Sequence, residues 1–67
     1  MNLKKIRKLK GKTQKELSES IGVNQSSISH FENGIRLPSL QTAQALAKAL
    51  DCSVDELLED PKEDLSE

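Results

Sequence analysis

A chain of 67 residues with a formal net charge of −1, one aromatic residue and one cysteine is expected to close a single small core, leaving no room for a separate catalytic domain. Cys52 has no second cysteine to pair with and His30 is the only other soft ligand, so no disulfide, metal site or cofactor is expected, and Phe31 alone offers little for stacking on unpaired bases. The lone cysteine fits a reducing cytosol, and because apolar runs are short and Lys4, Lys5, Arg7, Lys8 and Lys10 interrupt the N-terminal segment, neither a signal peptide nor a membrane span is expected.

The apolar spacing predicts five helices and no strand. The first runs from about Asn2 to Lys10, with Leu3, Ile6 and either Leu9 or the Lys10 methylenes facing inward, and Gly11 ends it. Thr13 and Glu16 have the spacing of a capping box, in which the hydroxyl accepts from a helix-end N–H and the carboxylate reaches back to the cap. A second helix therefore starts at Gln14, with Leu17 and Ile21 on its inner face, and Gly22 closes it by taking a positive φ. Asn24 caps a third helix, in which Ile28 and Phe31 form the buried stripe and Gln25, Ser26, Ser29 and His30 occupy other faces, before Asn33 and Gly34 end it. Pro38 breaks the next connection and Ser39 caps a fourth helix whose core face is Leu40, Ala43, Leu46, Ala47 and Leu50. Ser53 and Glu56 repeat the capping-box spacing for a short fifth helix with Val54, Leu57 and Leu58. Pro61 stops it, and residues 60–67, rich in charge with Leu65 their one large apolar side chain, are expected to be an acidic, disordered tail on a domain of residues 1–59.

Two short helices joined by a Gly turn, the second bearing several uncharged hydrogen-bonding side chains, suit a groove in DNA. Thr13-Gln14-Lys15-Glu16-Leu17, Ile21-Gly22-Val23, Ile28-Ser29, Glu32-Asn33-Gly34 and Pro38-Ser39-Leu40, in this order and at these intervals, closely resemble the helix-turn-helix of phage repressor and Cro-like proteins, the XRE-type regulators. The resemblance spans residues 3 to 59 and implies an all-α, five-helix repressor-like DNA-binding domain whose helices 2 and 3 form the helix-turn-helix. It departs from the family at Lys12, where an apolar residue is usual, at Ser18, where Ala is usual, and in the weight of acidic residues at the C-terminus.

In that geometry the second helix of the pair lies in the major groove with its N-terminal residues at base edges. Gln25 is the first candidate reader, because a carboxamide donates and accepts at once and so pairs bidentately with adenine. Ser26, Ser29 and His30 are further candidates, although a lone His on a helix surface is as readily a solvated polar residue. Phosphate contacts are expected from Gln14, at the positive end of helix 2, with diffuse attraction from Lys12 and Lys15. The resemblance adds Asn33 and Arg36 as a second phosphate clamp and assigns Ser27 either to phosphate contact or to local packing. It also implies that Arg7 and Glu32 form a partly buried ion pair that fixes the orientation of helix 3.

Residues 1–48 carry a net charge of +6 and residues 49–67 a net charge of −7, an asymmetry that turns the N-terminal part toward a polyanion. The sequence is thus expected to encode a transcriptional regulator, not an enzyme, that binds double-stranded DNA and represses as a homodimer on a pseudo-palindrome with half-sites about 34 Å apart. Val54, Leu57 and Leu58 are the expected dimer interface, unless they simply close the monomer core. No small-molecule ligand is indicated. A protein-interaction module of the antitoxin or antirepressor kind, docking through the acidic end of the same fold, is the alternative, and a restriction-modification controller is a third.

Overall fold

The computed structural model describes residues 1–59, so the expected Pro61 stop and the acidic tail lie outside the described residues. The order is α1 (Leu3–Leu9), α2 (Gln14–Ile21), α3 (Gln25–Glu32), α4 (Leu40–Ala49) and α5 (Val54–Leu58). All five predicted helices are present, and the described residues contain no strand. None of these helices is long and apolar enough to cross a membrane.

Local signals explain most of the boundaries. Glu16 N–H donates to Thr13 Oγ1 at 3.0 Å while Thr13 N–H donates to Glu16 Oε1 at 2.8 Å, completing the capping box at the start of α2. The Thr13 amide, helped by its hydroxyl and by Lys12, holds the Glu16 carboxyl below its ordinary range. Ser53 and Glu56 form the same reciprocal pair at α5. Ser39 Oγ accepts from Thr42 N–H at 3.2 Å and so caps α4. At Gly22, φ is 75° and ψ 32°, the left-handed conformation that reverses the chain between α2 and α3. A Cβ there would meet nothing within 4 Å, so the requirement for glycine is set by the backbone alone.

α2 packs on both α3 and α4, α4 on α5, and α1 closes the bundle against α3 and α5. The core draws Leu3 and Ile6 from α1, Leu17 from α2, Ile28 and Phe31 from α3, Ala43, Leu46 and Ala47 from α4, Leu50 from its cap and Leu57 from α5. The N-terminal strap is tied to α5 by Asn2 N–H donating to the Leu57 carbonyl at 2.8 Å. Ser18 is buried where α2 meets its neighbours, its hydroxyl donating to the Lys15 carbonyl at 2.8 Å. A small side chain satisfied within its own helix allows this close packing.

Three expected positions are corrected. Leu9 is exposed, because α1 ends there and the inward place on its last turn is taken by Arg7. Leu40 is exposed although it continues the i, i+3 spacing of Ala43 and Leu46, since as the first residue of α4 it lies beyond the helices that cover the rest of that face. Leu57, expected at a dimer interface, is sealed inside the monomer, and Val54 packs against the same core. Of the α5 trio, only Leu58 faces outward to any large extent.

Candidate nucleic-acid interface

The outward surface of the α2–α3 pair is built from the starts of both helices. Ile28 and Phe31 of α3 turn into the core, Gln25 and Ser26 are exposed on its first turn, and Ser29 and His30 are half-buried one turn on. Asn24 has extended backbone angles appropriate to a cap, but its side chain makes no capping hydrogen bond. The first turn of α3, at its positive end, therefore lacks a side-chain cap, although Ser27 N–H is taken by the Asn24 carbonyl.

Behind this surface lies a chain of polar contacts that crosses three helices. Arg7 Nε donates to Glu32 Oε2 at 2.5 Å and Arg7 Nη2 to Glu32 Oε1 at 3.3 Å, while Arg7 Nη1 donates to the Lys12 carbonyl at 2.8 Å. The pair is largely withdrawn from water, with side chains only 10% and 2% exposed. This is the α1–α3 ion pair that the family resemblance implies, and the planar guanidinium fork lets one Arg satisfy both carboxylate oxygens and a loop carbonyl. Gln14 Nε2 donates to the same Glu32 Oε1 at 3.0 Å, and Gln25 Nε2 donates to Gln14 Oε1 at 3.4 Å.

A carboxylate only accepts, so Glu32 fixes which end of the Gln14 amide faces it and leaves the Gln14 oxygen toward Gln25. Gln25 in turn keeps its Oε1 and its second N–H for a ligand. The first residues of α2 and α3 are thereby coupled side by side, a link that carries no mark in the local sequence because Gln14 and Glu32 are 18 positions apart.

The remaining candidates are spread around this centre. Lys15 is exposed on the first turn of α2 and Lys12 is half-buried just before it. Ser27 is half-buried, and its backbone N–H donates to the Asn24 carbonyl at 3.0 Å. Asn33 Nδ2 donates to Ser29 Oγ at 3.3 Å, which occupies one lone pair of a candidate reader. Arg36 is exposed beyond the end of α3, and both Ile35 N–H and Arg36 N–H donate to the His30 carbonyl, folding that loop back on the helix. Cys52 lies half-buried in the turn before α5. Burial and the nearby Glu56 carboxylate push its thiol up and keep it protonated at neutral pH.

Residues 3–57 match the helix-turn-helix family model. The chain belongs to this family, whose XRE-type branch the sequence had suggested. It is 40% identical over 55 residues to YazB, an uncharacterized HTH-type transcriptional regulator of Bacillus subtilis, covering 82% of this chain and 80% of that one. It is 37% identical over 51 residues to the cryptic phage CTXphi transcriptional repressor RstR of Vibrio cholerae, covering 76% of this chain but only 46% of the repressor. YqaE, another uncharacterized HTH-type transcriptional regulator of Bacillus subtilis, is 37% identical over 57 residues, and here too the match spans about half, 49%, of the relative's length. Among solved structures, SinR, a master regulator for biofilm formation crystallised in complex with DNA, superposes with a TM-score of 0.78 at 38% identity, covering 85% of this chain and 92% of that one.

Proposed function

We propose that this chain is a sequence-specific regulator of transcription of bacterial or phage origin, a repressor that places α3 in the major groove of double-stranded DNA and acts in the bacterial cytoplasm. The observation that carries this reading is the uncapped, polar first turn of α3, exposed at Gln25 and Ser26 and braced from behind by Glu32 and Arg7. Kinship with named regulators, and with a relative crystallised on DNA, supports it. Gln25 reads an adenine, Ser26, Ser29 and His30 read or approach neighbouring bases, and Gln14, Lys12, Lys15, Ser27, Asn33 and Arg36 hold phosphates. One helix in one groove reads few base pairs, so the reading includes two copies on a pseudo-palindrome with half-sites about 34 Å apart.

Salt titration tests it. Binding that neutralises several phosphates releases their counterions, so affinity for a duplex selected from random DNA should fall by roughly a thousandfold between about 50 and 200 mM salt. A nearly flat response, with binding instead to a protein partner, would contradict the reading and favour an interaction module.

A further inference from the structure

α1 turns Leu3, Ile6 and Arg7 into the molecule. Lys4, Lys5, Lys8 and Leu9 share its other side: at about 100° per residue they fall within an arc of roughly 140°, and all four are exposed, Leu9 by 74%. The face is cationic, with one apolar side chain at its end. Among the described residues the ion pair of α1 is Arg7 with Glu32, and none of these three lysines meets a carboxylate there.

We propose that residues 60–67 dock on this face of α1 and are displaced from it when DNA binds. Their carboxylates, on Asp60, Glu63, Asp64 and Glu67, outweigh the single cation Lys62, and Leu65 is their one large apolar side chain. Charge and apolar content therefore complement the face, with carboxylates for Lys4, Lys5 and Lys8 and Leu65 for Leu9.

The path of the chain makes the contact a local one. Asn2 N–H donates to the Leu57 carbonyl at 2.8 Å, so α1 begins beside the end of α5. Glu59, with φ −63° and ψ 142°, then leads the chain out of α5 in an extended form. Residues 60–67 reach as far as roughly 26 Å at about 3.3 Å each, whereas α1 rises only about 10 Å over its length. Asp55, Glu56 and Glu59 are exposed on or beside α5, and they repel the segment from that helix toward the lysines.

The displacement rests on the DNA-binding reading above, which leaves the acidic segment without a role. The last turn of α1 runs into the proposed DNA-facing surface: Lys12 N–H donates to the Arg7 carbonyl at 3.1 Å, and Gln14 opens α2 just beyond. Carboxylates held at Lys8 and Leu9 stand close to the phosphates assigned to Lys12 and Gln14, and like charge sets the two in competition. Exposed ion pairs are individually weak and are screened within about 8 Å at physiological salt. The docking holds because the connection through Glu59 keeps the segment at roughly millimolar effective concentration. A duplex thus displaces it at a modest cost in affinity.

The test uses the whole 67-residue chain with Cys52→Ser and Ser66→Cys, labelled with a nitroxide at position 66, and a duplex that the chain selects from random-sequence DNA. In the free protein at about 50 mM salt, the nitroxide should broaden the amide signals of Lys4 to Leu9 more than those of α2, α3 or α4. This broadening should vanish on saturation with the duplex, and also when Glu63→Gln, Asp64→Asn and Glu67→Gln neutralise the segment. In the unlabelled chain with Cys52 intact, the same three substitutions should raise duplex affinity about tenfold at about 50 mM salt and less than about twofold at about 200 mM. Broadening centred on α2, α3 or α4, broadening of α1 that survives neutralisation or saturating duplex, or an unchanged affinity at low salt would overturn the inference. A chain that binds no duplex at low salt, yet shows the broadening of α1, would overturn the DNA-binding reading and leave the docking standing.

Discussion

Replacing Glu32 with Ala should lower the melting temperature by roughly 15 °C, the consequence of losing about 3 kcal/mol in a domain this small. The carboxylate accepts from Arg7 Nε, Arg7 Nη2 and Gln14 Nε2, so its removal leaves a largely buried guanidinium with only the Lys12 carbonyl. The cost is chiefly that of the stranded charge, not the net worth of the pair. It is large against a total stability of about 3 to 10 kcal/mol, estimated at 0.05 to 0.15 kcal/mol per residue. Replacing both partners with apolar residues of similar volume, Arg7→Met with Glu32→Leu, should recover most of the loss. Thermal melts of the single and double variants at neutral pH check both statements. A Glu32→Ala chain that melts within a few degrees of wild type would mean that water already solvates the pair.

Gln25→Ala should reduce discrimination at one A·T pair in each half-site by about five- to 150-fold, the 1 to 3 kcal/mol of a bidentate amide contact, while other positions keep their preferences. The geometry gives the reason. Gln25 is exposed on the first turn of α3, and its amide is engaged on one N–H only, at a distance of 3.4 Å near the limit of a hydrogen bond. The other N–H and the oxygen are left for the complementary groups on adenine. Gln14→Ala should act differently, weakening binding to all duplexes alike, because its proposed contact is to phosphate and its link to Gln25 is long. Competition among duplexes altered one base pair at a time separates these outcomes. An unchanged preference in Gln25→Ala would remove it as the chief reader, and an altered preference in Gln14→Ala would mean that it reads as well as positions.

What the sequence made legible was whatever is decided within a turn or two of helix. The capping boxes at Thr13 and Ser53, the cap at Ser39 and the left-handed Gly22 depend on neighbours in the chain, and each was readable from residue type and spacing. The buried stripes Leu3–Ile6 and Ile28–Phe31 followed from helical periodicity. Periodicity failed where a helix outruns the elements that cover it, as at Leu40. It was also uninformative in the five residues of α5, where adjacent Leu57 and Leu58 point about 100° apart and nothing local says which turns inward. The Arg7–Glu32 pair, 25 positions apart, was visible only through likeness to a family. The Glu32–Gln14–Gln25 link, by contrast, required the packing of α2 on α3 to be known.

The proposed DNA-facing surface is the start of α3 with the start of α2 beside it. Backbone amide shifts of the isotopically labelled chain, followed by NMR during titration with a selected duplex, test this most directly. The largest changes should fall on Asn24 to Ser29 and on Thr13 to Lys15, with Asp55 to Glu59 of α5 nearly unmoved. Changes concentrated on α5, with the first turn of α3 silent, would contradict the account.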